Sequence, residues 1–397
     1  VKQLIEKYSL EELCEAAENY FKHVKDWNYL LTKPFASPHE VPSLLINFAY
    51  LIKGLQLVAG LTVLDFGAGS CWASRFLNQM GCSVVSLDTS ATALQIGKEL
   101  KNRLPVIGSQ PEHRFMHFNG TRIDLPDASV DRIFCHDAFH HVPNQSEVLD
   151  EMCRVLKKGG IAGFSEPGPN HSKSPQAQEE MRNHAIIEND IIIADVFEKA
   201  KRSGFTRMQL LCYSLEPIVA LFDESNTLLE QDDLFATYIH HTVNYMQSHN
   251  TFFLHKGEIS THDSRYKDGL LAGIEVSVKP RTVQEGEDFL CEVTINNNSD
   301  KLWLASGGNI GAVNLGIHLY DADHNLIDSD WFRAHLSDQD VRPDERVQLQ
   351  FRIPAPAGGK YQLEFDLVSE GVCWFETNGS QTQIVEVSVR KSGEFSS

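Results

Sequence analysis

The sequence predicts two domains, an α/β domain followed by an antiparallel β-sandwich, and three observations carry that expectation. From Thr62 onward, short apolar segments alternate with amphipathic ones, the pattern of a parallel sheet covered by helices. The first apolar segment contains Asp65 and runs through Gly67, Ala68 and Gly69 into a helical stripe. Beyond residue 270 the apolar period switches to two, as half-buried strands require. A chain of 397 residues also exceeds what one hydrophobic core usually organises.

The opening segment reads as helices, with Leu4, Leu10, Leu13 and Ala17 at helical spacing and Leu44, Leu45, Phe48, Leu51 and Ile52 repeating the pattern. These form a helical cap over 1–55. Strands are predicted at Val63–Phe66, Val84–Leu87, Arg132–Cys135 and Ile161–Ser165. Between them, Trp72, Phe76, Leu77 and Met80 make one helical stripe and Val148, Leu149, Met152, Val155 and Leu156 another. Asn144 with Glu147 suggests a capping box for the second helix, and Gly159–Gly160 its stop. Met208–Tyr213 and Thr251–His255 suggest a final antiparallel pair. The first folded domain is expected over 56–259, a polar linker over 260–270, a sandwich of seven or eight strands over 271–390 and a tail over 391–397.

A net charge of −19 repels phosphate backbones and anionic lipid, so nucleic acid is not an expected partner. No apolar run is long enough to span a bilayer, and Val1–Leu10 has no signal-type pattern, so the expectation is a cytoplasmic protein without membrane insertion. The eight cysteines stand singly, with no zinc-type spacing, which points to reduced structural thiols and to no metal.

Glycines at 67 and 69 let the backbone pass close to a ligand, because no Cβ intervenes. About twenty residues later a second strand ends at Asp88, where a carboxylate can accept both hydrogen bonds of a ribose diol. A dinucleotide site wants a third small residue where this chain has Trp72, so a nucleoside cofactor without pyrophosphate fits better.

The stretches VLDFGAGS, VVSLDTS, LPDASVDRIFCHDAFHHV and RVLKKGGIAGFSEPGP resemble class I S-adenosylmethionine-dependent methyltransferases over roughly residues 34–258. The resemblance implies a Rossmann-like sheet and S-adenosyl-L-methionine as cofactor. It places Asp65, Gly67, Ala68 and Gly69 at the methionine end, Asp88 and Thr89 at the ribose, and Asn119, Gly120 and Thr121 near the adenine. Cys135, His136 and Asp137 would border the sulfonium and the acceptor.

Methyl transfer needs alignment rather than a covalent protein intermediate, and an oxygen acceptor gains from a base. His140 and His141 after the fourth strand, and Glu166 and His171 after the fifth, lie at the carboxyl edge where parallel sheets place their sites. The expected catalytic residues are His140, His141 and Glu166. Glu188 reads as part of a helix N-terminal charge pattern or as a group reaching the acceptor.

EPGPNHSKSPQAQEEM resembles methyltransferases of bacterial surface-polysaccharide systems, and NNNSDKLWLASGG with FDLVSEGVCWF resembles sandwich modules of polysaccharide-modifying enzymes. Trp303, Trp331, Trp374 and Phe375 are candidate platforms for a pyranose face. The expected function is O-methylation of a sugar or glycan hydroxyl. Alternatives are methylation of a small metabolite or lipid intermediate, and glycan binding without turnover. Expected partners are a small-molecule or glycan acceptor, and a second copy of the chain or a polysaccharide assembly complex.

Overall fold

The structure is a computed structural model that describes residues 1–108, 111–217, 232–258 and 263–391. Contacts divide the chain into two compact units, residues 1–260 and 261–397. The expected linker lies partly, and the tail almost wholly, outside the described residues.

The first unit opens with four helices, α1 (Lys2–Lys7), α2 (Leu10–His23), α3 (Asn28–Thr32) and α4 (Val41–Leu55). Ser9 and Glu12 form a reciprocal capping box at the start of α2, satisfying two orphan N–H groups. Strand and helix then alternate: β1 (Thr62–Phe66), α5 (Trp72–Gln79), β2 (Ser83–Asp88), α6 (Ala91–Arg103), β3 (His113–His117), β4 (Val130–His136), α7 (Gln145–Val155) and β5 (Leu156–Pro167). Helices α8 (Pro175–His184) and α9 (Ile193–Ser203) precede β6 (Arg207–Leu211), and α10 (Asp232–Ser248) leads into β7 (His249–His255).

These strands form one sheet in the order β3-β2-β1-β4-β5-β7-β6. β1 to β5 run parallel, and β7 lies antiparallel between β5 and β6. Alternation along each strand sends Leu64, Val85, Ile133 and Phe164 to one face with Val148, Met152 and Val196. Val63, Val84, Phe134 and Ile161 face the other way, against Leu51, Leu55, Trp72 and Leu77. Both faces are therefore dry, as an internal parallel sheet requires.

Three local features differ from the expectation here. β3 was not anticipated, because HRFMH at this sheet edge lacks apolar alternation, with His113, Arg114 and His117 polar, and none of its residues is fully buried. Helix α7 ends at Val155 rather than at Gly159, since Leu156 already pairs with Val130 in the sheet. Asn144 makes no cap; its amide donates to the Gly120 carbonyl (3.0 Å) and to Glu147 (2.8 Å).

The second unit is an antiparallel β-sandwich, with β8 (Ala272–Lys279), β9 (Thr282–Gln284), β10 (Asp288–Asn297), β11 (Val313–Asp321), β12 (Leu326–His335), β13 (Arg346–Pro354), β14 (Gly359–Ser369), β15 (Cys373–Trp374) and β16 (Gln383–Arg390). One sheet has the order β13-β10-β8 and the other β12-β11-β14-β16-β9, with β15 pairing β14 and only the short β9 running parallel to its neighbour. Trp303 and Phe375 are fully buried in its core, which removes both as sugar platforms.

Phe164 is fully buried, stacked on Phe252 (centroids 4.8 Å apart) and edge-on to Phe139 (5.2 Å). Phe164→Ala is expected to destabilise the first unit by about 3–5 kcal/mol in urea unfolding. A loss below about 1 kcal/mol would show that this aromatic stack is not what holds the β4–α7 loop to the sheet.

Candidate active site

Loops at the carboxyl ends of β1, β2, β4 and β5 open on a cavity of about 610 Å³, closed on the far side by α2. Leu10, Leu13, Cys14, Ala17 and Phe21 line it from one face of α2. Glu18, on the same helix, accepts from Ser90 Oγ (2.7 Å), Thr92 N (3.0 Å) and Thr92 Oγ1 (2.7 Å), tying α2 to the first turn of α6. The four hydrogen-bonding groups around it, including Lys22, outweigh its partial burial and bring Glu18 down to about 2.

The glycine loop fits a cofactor cradle. Gly67 and Gly69 both adopt positive φ (68° and 51°), and a Cβ on Gly67 would stand 2.3 Å from the Ala138 methyl group. Gly67 and Ala68 donate to the Leu87 carbonyl (2.8 and 3.0 Å), which binds the loop to the end of β2. Asp88 accepts from Gly69 N and Ser90 N, both at 2.8 Å, and burial raises its carboxyl. Asp65 is buried beneath the loop; burial, with Asp88 nearby, pushes it up to about 7 against the bond from Ser74 Oγ. Ser74 in turn accepts from Ser86 Oγ (2.7 Å), which also pairs with His113 Nε2 (2.8 Å).

Asp65, Gly67, Ala68, Gly69, Asp88, Thr89, Gly120, His136, Asp137, His140 and His141 all line the cavity. Asn119 and Thr121 do not. Asn119 Oδ1 accepts from Thr121 N, Thr121 Oγ1 and Arg122 N, each at 3.0 Å, so both exposed side chains serve the turn. Phe118 and Gly120 supply the wall in their place.

Glu166 is likewise displaced from the role expected of it. Fully buried, it accepts from the backbone N–H of Ala138 (3.1 Å), Phe139 (2.9 Å) and His140 (3.2 Å), and from His140 Nδ1 (2.7 Å). Burial opposes its charge, but the His140 bond, the charge of that ring and the N–H donors prevail and hold it down to about 2. It is a positioning residue. Because an ionised carboxylate only accepts, His140 carries its proton on Nδ1 and turns Nε2 toward Glu188 Oε2, 3.6 Å away.

Glu188 comes to the same wall from the loop before α9 and accepts from His171 Nε2 at 2.7 Å. Burial disfavours its charge, yet the three imidazoles of His171, His141 and His140 hold it low. His141 Nδ1 donates to the Ile187 carbonyl (2.7 Å), leaving the Nε2 lone pair free on a ring 41% open to the cavity. Burial and the neighbouring His140 push His141 down to about 4. His140, His171 and Glu188 could together hold a metal ion, but His171 and Glu188 already satisfy each other. Sequence reasoning missed the α2 lining, Phe118, Gln176 and Glu180; the helical stripe of α2 was visible, its destination was not.

A parallel sheet with this order, an antiparallel seventh strand and a glycine cradle facing an acidic strand end defines the Rossmann-like class I methyltransferase fold, whose cofactor is S-adenosyl-L-methionine. Residues 64–164 match the family model described as a methyltransferase domain. The chain is 24% identical to the sterol 24-C-methyltransferase of Eremothecium gossypii over 42% of its own length and 49% of that protein. It is 28% identical to the ubiquinone biosynthesis O-methyltransferase of Nitrosomonas europaea, over 33% of its length and 53% of that protein. A solved phosphoethanolamine N-methyltransferase of Haemonchus contortus, in complex with S-adenosyl-L-methionine, superposes with a TM-score of 0.43 and 16% identity, covering 64% of this chain and 60% of that one. The chain thus spans about half the length of the curated relatives it matches. No helix among the described residues is long and apolar enough to cross a membrane.

Gly67→Ala is expected to raise the Kd for S-adenosylhomocysteine by roughly ten- to a hundredfold, through backbone strain and the collision with Ala138. Calorimetry showing an unchanged Kd would remove the cradle from the cofactor site. For Glu166 the folded carboxyl titrates below its unfolded value of about 4.5, so its contribution to stability, on the order of 3 kcal/mol, is present above that pH and lost as pH falls toward 2. Glu166→Gln should flatten the stability profile in that window; a slope equal to that of the parent protein would contradict the ionised assignment.

Proposed function

We propose that the first unit transfers the methyl group of S-adenosyl-L-methionine to a hydroxyl of a neutral acceptor, of which sugars and glycans are the leading class. Bound S-adenosyl-L-methionine supplies an electrophilic methyl group on a sulfonium. The observation that carries the acceptor class is the charge of the wall: Asp137, Glu180 and Glu188 line the cavity, with Lys33 as the one Lys or Arg among the described residues that line it. A phosphate or carboxylate acceptor would meet repulsion there, whereas hydroxyls find carboxylates and imidazoles to donate to.

His141 is the base this arrangement favours. Its proton sits on Nδ1, held by Ile187, and a ring down to about 4 is neutral at pH 7. It would accept the hydroxyl proton as that oxygen bonds the methyl carbon and the methyl–sulfur bond breaks, the electron pair of that bond remaining on sulfur. Glu166 and Glu188 hold His140 beside it, the two rings 3.9 Å apart.

A second reading is favoured by the same carboxylates: an amine acceptor, attracted as a cation before it loses its proton. The glycine/sarcosine/dimethylglycine N-methyltransferase of Actinopolyspora halophila is 29% identical over 38% of this chain and 27% of that protein. Labelled methyl donor offered with sugars, oligosaccharides, amines and quinols separates the readings. Label in sugars supports the first; label confined to amines overturns it.

His141→Ala is expected to lower kcat by about a hundredfold with cofactor affinity unchanged. Activity of the parent protein should hold from pH 8 to 5 and fall toward pH 4 as His141 gains its second proton, a limb absent from the variant. Persistence of that limb in His141→Ala would move the base elsewhere.

A further inference from the structure

In the sandwich, β11 and β14 send Leu315, Ile317 and Leu319, with Leu363, Phe365 and Leu367, into the core. The intervening residues Gly316, His318 and Asp366 belong to the opposite face, where a sheet normally meets water. Here that face is roofed. The Trp374 ring packs on His318 (centroids 4.2 Å apart) in space that a Cβ on Gly316 would enter, 2.3 Å from the indole, and Arg333 stacks on the indole (4.3 Å). The turn Phe375–Asn378 follows and brings Glu376 to the same place.

At this roof three buried polar atoms have no hydrogen-bond partner: the acceptors His318 Nε2 and Asp366 Oδ1, and one donor, Arg333 Nη1. His318 is 5% exposed and Asp366 fully buried. The other ends of both side chains are fixed. His318 Nδ1 faces the Ser329 carbonyl, so it carries the proton and Nε2 presents a lone pair. Asp366 Oδ2 accepts from Glu376 N at 3.0 Å. One donor atom each from His318, Asp366 and Glu376 lies within 4.8 Å of the other two. Arg333 Nη1 bonds neither acceptor, so the lone pairs of His318 and Asp366 stay buried without a hydrogen-bond donor, which is costly unless a cation joins them.

We propose that His318, Asp366 and Glu376 bind a divalent transition-metal cation that fastens the Trp374 roof to the sheet. Imidazole with two carboxylates suits zinc, cobalt or manganese better than calcium or magnesium, which take all-oxygen sets. Metal–ligand distances of about 2.0–2.2 Å are reached by small side-chain movements from the spacing observed. The Ser329 carbonyl and the Glu376 N–H supply the supporting hydrogen bonds that hold such ligands in orientation. Glu376 is exposed, so a coordination position remains open to water.

The test uses the full chain, stripped with chelator and titrated with Zn²⁺ by calorimetry and with Co²⁺ by visible absorption. One equivalent is expected to bind. Asp366→Asn, which keeps the side-chain volume, and His318→Ala should each weaken that equivalent by about ten- to a hundredfold or more. Glu376→Gln should weaken it less, and His171→Ala, in the catalytic cavity, should leave it unchanged. Circular dichroism of each variant establishes that the loss is not unfolding, and Asp366→Asn decides if His318→Ala fails to fold. The proposal falls if the parent protein binds no equivalent, or if binding survives Asp366→Asn and is lost in His171→Ala.

Discussion

The catalytic edge of the first unit depends on one buried carboxylate. Glu166 ends β5 and gathers three consecutive backbone N–H groups from the segment that leaves β4, together with the His140 ring. Those donors make ionisation favourable where burial alone would forbid it. Their geometry also decides which way the β4–α7 loop travels, and hence which wall His140, His141 and Asp137 join. An apolar residue at 166 would leave three N–H groups without an acceptor, a cost that falls on the loop itself.

The rest of the cavity follows from that anchor. His140, fixed from behind, faces Glu188; Glu188 holds His171; His141 turns outward beside them. Three loops from different parts of the chain converge on a polar wall, while the glycine cradle and α2 form a wall that is mostly apolar. Such a division suits a cofactor with an adenine ring and an acceptor rich in hydrogen-bonding groups.

Much of this was legible in the sequence because it follows from periodicity and short-range chemistry. Strands β1, β2, β4 and β5 are buried on both faces and so read as apolar runs, and Gly67, Gly69 and Asp88 stand in local order. Residues whose role depends on long-range contacts were less legible. Glu166 was seen to reach the right edge, but only the fold shows that backbone N–H groups enclose it. Asn119 and Thr121 have the chemistry to contact a base, yet a local turn consumes it. β3 has no apolar signal because its place at the sheet edge demands none. In the sandwich, composition could not separate the core Trp303 from the half-buried Trp331 and Trp374, since an aromatic at every second position is compatible with either face.

Helix α2 shows what a shared cavity means for the chain that encloses it. None of its residues is fully buried, and its apolar face looks into the cavity, with Phe21 also packed against the core of the sheet. Its attachment rests on Glu18 at the start of α6 and on that face. An occupant of the cavity therefore completes the helix's own hydrophobic contacts, and by thermodynamic linkage the docking of α2 and the retention of the occupant reinforce each other. Helix α2 would in that sense be partly folded by the small molecule it covers.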